Sequence, residues 1–317
     1  MDDFSRFAIV FIDTLLPMAF GMLLKRWGLA REYLRLMIQI NVVGVLFLLS
    51  ITSFWSVHIT AELLWLPISI IPISLIPACI FYLIGRKRFQ DPREQGSYLI
   101  SMMLGNIGTV SGLAAFVLYG EKGFAYVQMI AIPQILPIVL FAFPMGAYYY
   151  SKWENKGKGA GQKFQIWKML FTWNQLPVVG VFIGLALSGM EISRPASLTF
   201  LFDCLIHLNA WFGMVPVGYD LDLRGARTYA GKLWTIFPIK FIILPLCLYG
   251  MTRLFVSDPA IIVCVVLSAA APTAIFSVAT AQLYRLNVDL AESSFLTTTL
   301  AFLFIVYPVL YWWASGL

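Results

Sequence analysis

The chain has 317 residues, of which 60% are hydrophobic and only 12% charged, with a mean hydropathy of +0.82. No water-soluble domain needs so much apolar surface, so the composition excludes a soluble enzyme or binding module and points to an all-α protein of the lipid bilayer. The net charge of +6 is accounted for by loops that face an anionic leaflet, and no nucleic-acid partner is expected from it.

Apolar stretches near the ~20 residues that cross a bilayer recur at 6–24, 36–55, 62–85, 97–119, 123–150, 170–189, 198–219, 233–253, 259–283 and 291–314. The pattern predicts ten transmembrane helices. The first opens on Asp2 and Asp3 rather than on a basic segment, so it is expected to stay in the mature protein. One set of alternate loops carries seventeen Lys and Arg, from Lys25, Arg26, Arg31 and Arg35 through the 86–93, 152–168 and 224–232 clusters to Arg285. The opposite set holds Arg6, Lys122, Arg194 and Arg253. Because positive charge resists translocation, both termini are expected outside a plasma (inner) membrane crossed many times. Cys79, Cys204, Cys247 and Cys264 all fall in apolar spans and only two histidines occur. Neither disulfides nor a metal site is expected, and the cysteines read as buried small side chains.

Two spans are interrupted. Gly105-Asn106-Ile107-Gly108-Thr109-Val110-Ser111-Gly112 puts three glycines and three polar side chains at the middle of the fourth span. Ser268-Ala269-Ala270-Ala271-Pro272-Thr273 does the same in the ninth with small residues and a proline, which removes a backbone donor. A broken helix survives in a bilayer only where protein or a water-filled cavity satisfies its freed backbone groups, so matched breaks mark a transport path. If both helices break and cross, their half-helix N-termini bring partial positive charge to one point, which favours an anion. No Asp or Glu occurs in 97–119 or 259–283, which argues against a carboxylate cage for a metal ion. Close helix packing through small residues is the competing explanation.

The halves also resemble each other. Leu16-Pro17 matches Leu176-Pro177, Leu64-Trp65 matches Leu233-Trp234, Pro77-Ala78-Cys79 matches Pro245-Leu246-Cys247, and Leu118-Tyr119 matches Leu283-Tyr284. Five spans per half is an odd number, so the second copy enters with opposite polarity and a 5+5 inverted repeat is expected. Residues 1–150 form the first copy, 151–165 a Lys- and Gly-rich cytoplasmic linker, and 166–317 the second.

Asn106 through Gly120-Glu121, Gly218-Tyr219-Asp220-Leu221, and Pro272-Thr273-Ala274 running to Tyr284, Asp289, Ala291, Ser293-Ser294 and Thr297-Thr298-Thr299 resemble the auxin efflux carrier family of the bile acid/sodium symporter superfamily. The resemblance covers nearly the whole chain and implies crossing helices 4 and 9. It also implies a scaffold from helices 1, 2, 6 and 7 and a moving part from helices 3–5 and 8–10. Plant members carry the indole acetate anion, and bacterial members are associated with malate, malonate and other carboxylates; the short linker resembles a prokaryotic member. Two departures stand out: Leu113 replaces a usual proline, and Phe276 replaces an asparagine common after the span-nine proline. Asn106 therefore carries over as a binding candidate, while its symmetry mate does not.

Charges inside a bilayer cost several kcal/mol unless hydrated or paired, which makes Asp13, Asp203, His207 and Lys240 candidates for coupling or counter-charge. Asp203 and His207 share a helix face at i, i+4 and form the expected proton pair. Scaffold ion pairing or water exposure at a vestibule is the alternative for Asp13 and Asp203. For Lys240, substrate counter-charge and neutralisation of helix ends both remain open. Gln134 is preferred over Gln128 as a ligand group because plant members use a polar residue in that region. The expected site is Asn106, Gly108, Thr109, Gln134, Pro272 and Thr273, for a small mono- or dicarboxylate such as malate or malonate. No cofactor is expected, H+ or Na+ is the coupling ion to test, and a homodimer is allowed. An enzyme is disfavoured, since no HExxH, no GxSxG and no paired acids at one depth occur; an anion channel and a non-transporting sensor are the rivals.

Overall fold

A computed structural model describes residues 3–154 and 176–316. Most of the expected linker, Lys156, Lys158, Lys163 and Lys168, and the first residues of the 170–189 span lie outside the described residues. In chain order the helices are α1 (Asp3–Arg26), α2 (Arg31–Trp55), α3 (Ala61–Leu83), α4 (Pro92–Met103), α5 (107–119), α6 (121–154) and α7 (Leu176–Gly189). They continue with α8 (Ser197–Asp220), α9 (Leu223–Tyr229), α10 (Ile236–Thr252), α11 (Pro259–Ala269), α12 (Ile275–Leu283) and α13 (Val288–Ser315). Among the described residues there is no strand. Taking 107–154 as one stretch, six helices among the described residues are long and apolar enough to cross a membrane. That stretch is divided at Gly120, whose φ of 63° and ψ of −148° turn the chain back on itself in a conformation that a side chain would strain.

Local signals explain the key starts. Asp91 and Asp258 each accept a hydrogen bond from the backbone N–H two residues on and are each followed by proline at the first helical position, so α4 and α11 begin alike. Both also end after three turns, and their inner turns are buried without interruption, from Gln95 to Met103 and from Ala260 to Ala269. The α1 helix packs along α8 and α2 along α7. Glycine makes these crossings close: a methyl group on Gly218 would lie 2.0 Å from the Met18 carbonyl oxygen, and one on Gly184 2.6 Å from that of Ile51.

Two groups of polar contacts join the loops. In one, Arg31 pairs with Asp220 at 3.6 Å, Arg88 Nε donates to the Lys232 carbonyl at 2.8 Å, and Tyr229 joins Glu94 to Asn287. In the other, Arg194 pairs with Glu121, Lys122 with Asp258 at 3.5 Å, and Glu62 accepts from the Asp258 N–H at 3.1 Å. These groups coincide with the two sets of alternate loops separated by charge in the sequence. The cysteines depart from expectation: Cys264 is buried, but Cys79, Cys204 and Cys247 are exposed on helix surfaces. A bilayer is as apolar as a core, so hydropathy does not distinguish a lipid-facing position from a buried one.

Candidate functional site

Helix α4 stops at Met103 and α11 at Ala269, and helix resumes only at Ile107 and Ile275. The two gaps meet. Gly105 and Thr273 pair as an isolated antiparallel bridge, the Asn106 N–H donates to the Pro272 carbonyl at 2.7 Å, and the Ala274 N–H donates to the Leu104 carbonyl at 3.0 Å. Each break thus satisfies backbone groups freed by the other. Side chains complete the joint: Ser111 Oγ donates to the Leu267 carbonyl and Thr273 Oγ1 to that of Ser101, each at 3.0 Å, while the Thr273 N–H donates to Thr298 Oγ1 at 2.9 Å.

Lys240, only 2% exposed, lies behind this joint. Its Nζ donates to the carbonyls of Leu104 at 3.1 Å and of Ser101 and Met102 at 3.4 Å. Those carbonyls lie at and just beyond the C-terminal end of α4, where the helix dipole is negative, so the geometry is that of a cation neutralising a helix end. Its counter-charge role is not visible as a direct contact with the cavity wall.

In front of the joint is a cavity of about 210 Å³. Its walls include Ile107, Gly108 and Thr109 from the first turn of α5 and Ile275 and Phe276 from that of α12. Neither Asn106 nor Ala274 caps its helix through a side chain, so the leading N–H groups of two half-helices face one space, the arrangement that suits an anion. Asn41 of α2 and Asn209 of α8 also line it and are joined by an Asn41 Nδ2 to Asn209 Oδ1 hydrogen bond of 3.2 Å.

Of the residues singled out in the sequence, Asn106, Gly108, Thr109 and Gln134 line the cavity. Pro272 and Thr273 do not; they form the joint behind it. Gln134 Nε2 donates to the Gly105 carbonyl at 2.8 Å and Gln128 Nε2 to that of Gly108 at 3.0 Å. Gln134 therefore braces the break and Gln128 the first turn after it, and both face the cavity. Gly108 is not where another backbone comes close: a methyl group there would meet Ala131 and Gln128 side chains at 3.6–3.9 Å, whereas at Gly105 it would lie 3.0 Å from the Ala271 methyl. Asn41 was missed. A lone asparagine in an apolar span carries no motif, yet its separation of 168 residues from Asn209 equals that between Pro77 and Pro245.

The histidine pairing also differs from the expected one. His207 Nδ1 bonds Asp13 rather than Asp203, and Trp211 Nε1 donates to the other Asp13 oxygen at 3.3 Å. Because α1 lies along α8, the partner comes from the neighbouring helix, while Asp203 points outward and is exposed.

No protein-family model matches the chain. Over 248 residues, covering 77% of this chain and 77% of the relative, it is 24% identical to an uncharacterized transporter of Methanocaldococcus jannaschii.

Proposed function

We propose that this protein is a secondary transporter of a small organic anion, bound where the two broken helices meet and carried by alternating access. The observation that carries the reading is the cavity onto which both half-helix N-termini open. The transporter relative agrees with it, as does the resemblance to the auxin efflux carrier family, to which we assign the chain as part of this proposal.

An inverted repeat of five plus five helices is the architecture this reading requires, and several equivalences support it. A shift of 168 residues carries the Asn106 to Pro272 hydrogen bond onto the Ala274 to Leu104 bond. The same shift relates Gly105 to its bridge partner Thr273 and Asn41 to its partner Asn209. Residues in contact with their own repeat equivalents lie on the axis relating the copies. The Asp-Pro starts of α4 and α11, and the pairing of α1 with α8 against that of α2 with α7, repeat the correspondence. On this reading α1, α2, α7 and α8 are the scaffold, and the elements that meet at the crossover move against it. The Asp13–His207 contact is then the place for proton coupling, with Na+ the alternative ion.

The test is uptake by proteoliposomes together with ligand-induced stabilisation of the purified protein. Counterflow of a carboxylate is expected, which separates a carrier from a channel. Asn106→Ala removes one donor to an ionised group, about 1.5 to 3 kcal/mol, so carboxylate affinity should fall roughly ten- to a hundred-fold. Wild-type affinity in a folded Asn106→Ala protein would sink the crossover site.

A further inference from the structure

Most ion pairs of the described residues stay on one side of the division between scaffold and crossover elements. Asp13–His207 and Arg31–Asp220 join scaffold helices to each other, Lys122–Asp258 joins α6 to the start of α11, and Asp91–Arg93 lies at the start of α4. Arg194–Glu121 alone among them runs across. Arg194 lies in the connection from α7 to α8, and Glu121 follows the Gly120 turn that ends α5. Their side chains are only 17% and 14% exposed, yet the pair is incompletely satisfied. Arg194 Nη1 meets the carboxylate, while Nε and Nη2 are buried without an acceptor among the described residues, and Asp203 of α8 sets a like charge near Glu121. A buried guanidinium with idle donors closes a gap without locking it, because the unmet groups offset part of the attraction.

On the repeat proposed above, the α7–α8 connection corresponds to that between α1 and α2, and the turn before α6 to the turn before α13. Those two places again hold a base and an acid: Lys25 in the last turn of α1 and Glu292 near the start of α13. Here the two do not touch. Lys25 Nζ donates to the Leu221 carbonyl at 3.3 Å, and Glu292, 5% exposed, accepts from the Asp222 N–H at 3.0 Å. That carbonyl and that N–H belong to one peptide group, so a single peptide separates ammonium from carboxylate and sets them at most about 9 Å apart.

We propose that Arg194–Glu121 and Lys25–Glu292 are two latches that close in alternation. The first holds the scaffold to the crossover elements and shuts the cavity on the Glu121 side, the state of this structure. The second shuts the other side once the first has parted and the Leu221–Asp222 peptide has drawn aside. This rests on reading the protein as an alternating-access carrier, and it names the side chains that hold each state.

A single thiol in the cavity wall tests it: Thr109→Cys in the full-length protein with Cys79, Cys204 and Cys247 replaced, its reaction with an impermeant maleimide timed in right-side-out and inside-out vesicles. Glu121→Gln should raise the rate from the outer face roughly three- to tenfold, the effect of losing one partly buried ion pair. Glu121→Gln combined with Arg194→Gln, which leaves no charge unpaired, should do the same, and Glu121→Arg combined with Arg194→Glu should restore the parent rate. Glu292→Gln keeps an oxygen for the Asp222 N–H but loses the charge for Lys25, so it should lower the outer rate and raise the inner one. General loosening would instead raise both. An outer rate unchanged by Glu121→Gln and by the neutral double variant, or raised by Glu292→Gln, would overturn the proposal. If the parent thiol reacts from both faces at rates that no variant alters, alternating access stands without these latches; a thiol reached from one face only in every variant removes the transporter reading with them.

Discussion

Replacing Gln134 with leucine separates a brace from a ligand group. Gln134 is 8% exposed and donates to the Gly105 carbonyl at 2.8 Å. Gly105 lies in the gap between α4 and α5, so its carbonyl has no place in a helical ladder, and Gln134→Leu leaves it buried without a donor. An orphaned buried carbonyl costs about 1–3 kcal/mol. For a chain of 317 residues, an unfolding entropy of about 2.1 cal/mol/K per residue makes each kcal/mol worth roughly 1.5 °C, so the unfolding midpoint should fall by about 1.5–4.5 °C. Gln128 is the internal control. Its partner Gly108 lies within the helical turns of 107–111, so Gln128→Leu forfeits only the net value of one hydrogen bond, about 0.5–1.5 kcal/mol. Thermal unfolding followed by tryptophan fluorescence, without ligand, measures both. An unchanged midpoint in Gln134→Leu, or a larger drop in Gln128→Leu, would refute the assignment of Gln134 as the brace of the break.

Gly184→Val should destabilise the α2–α7 crossing by about 1–3 kcal/mol through overpacking, whereas Gly44→Val, with no atom within 4 Å of the added carbon, should be nearly neutral in the same assay. Asp13→Asn removes the carboxylate that holds His207 and should change the shape of the uptake-against-pH profile in proteoliposomes. Asp203→Asn should leave that profile as it is, and the reverse result would restore the same-helix pair. With Cys79, Cys204 and Cys247 replaced, a cysteine at His58 or Glu121 should react with an impermeant maleimide applied outside cells, and one at Arg88 should not; the opposite pattern would invert the topology.

The all-helical, membrane-spanning character was legible because bilayer thickness imposes a length that hydropathy reports directly; of the ten expected spans, six helices among the described residues reach that length. The breaks were legible because glycine and proline disfavour continuous helix in any setting. Partnership was harder to read. His207 shares a face with Asp203 on paper, but the packing of α1 along α8 supplies Asp13 from 194 residues away. Lys240 declared itself as a buried charge, while its three carbonyl partners belong to a helix end 136–139 residues distant. Asn41 gave no local signal, since a single amide among apolar residues acquires meaning only beside its partner Asn209, 168 residues on. The cysteines failed for a different reason: in lipid, outward and inward positions select the same kinds of side chain.

The joint between the two breaks is made first of main-chain atoms, a bond from Asn106 N–H to the Pro272 carbonyl and its counterpart from Ala274 N–H to the Leu104 carbonyl. A seam of peptide groups asks little of the side chains that flank it. Asn106 can therefore stand opposite Ala274, and Phe276 can fill a wall of the same cavity, without loosening what ties the halves together. On the repeat proposed above, the two copies are free to differ in chemistry while keeping a shared geometry. A new cargo would then ask only for a few exchanged residues around a fixed seam of backbone.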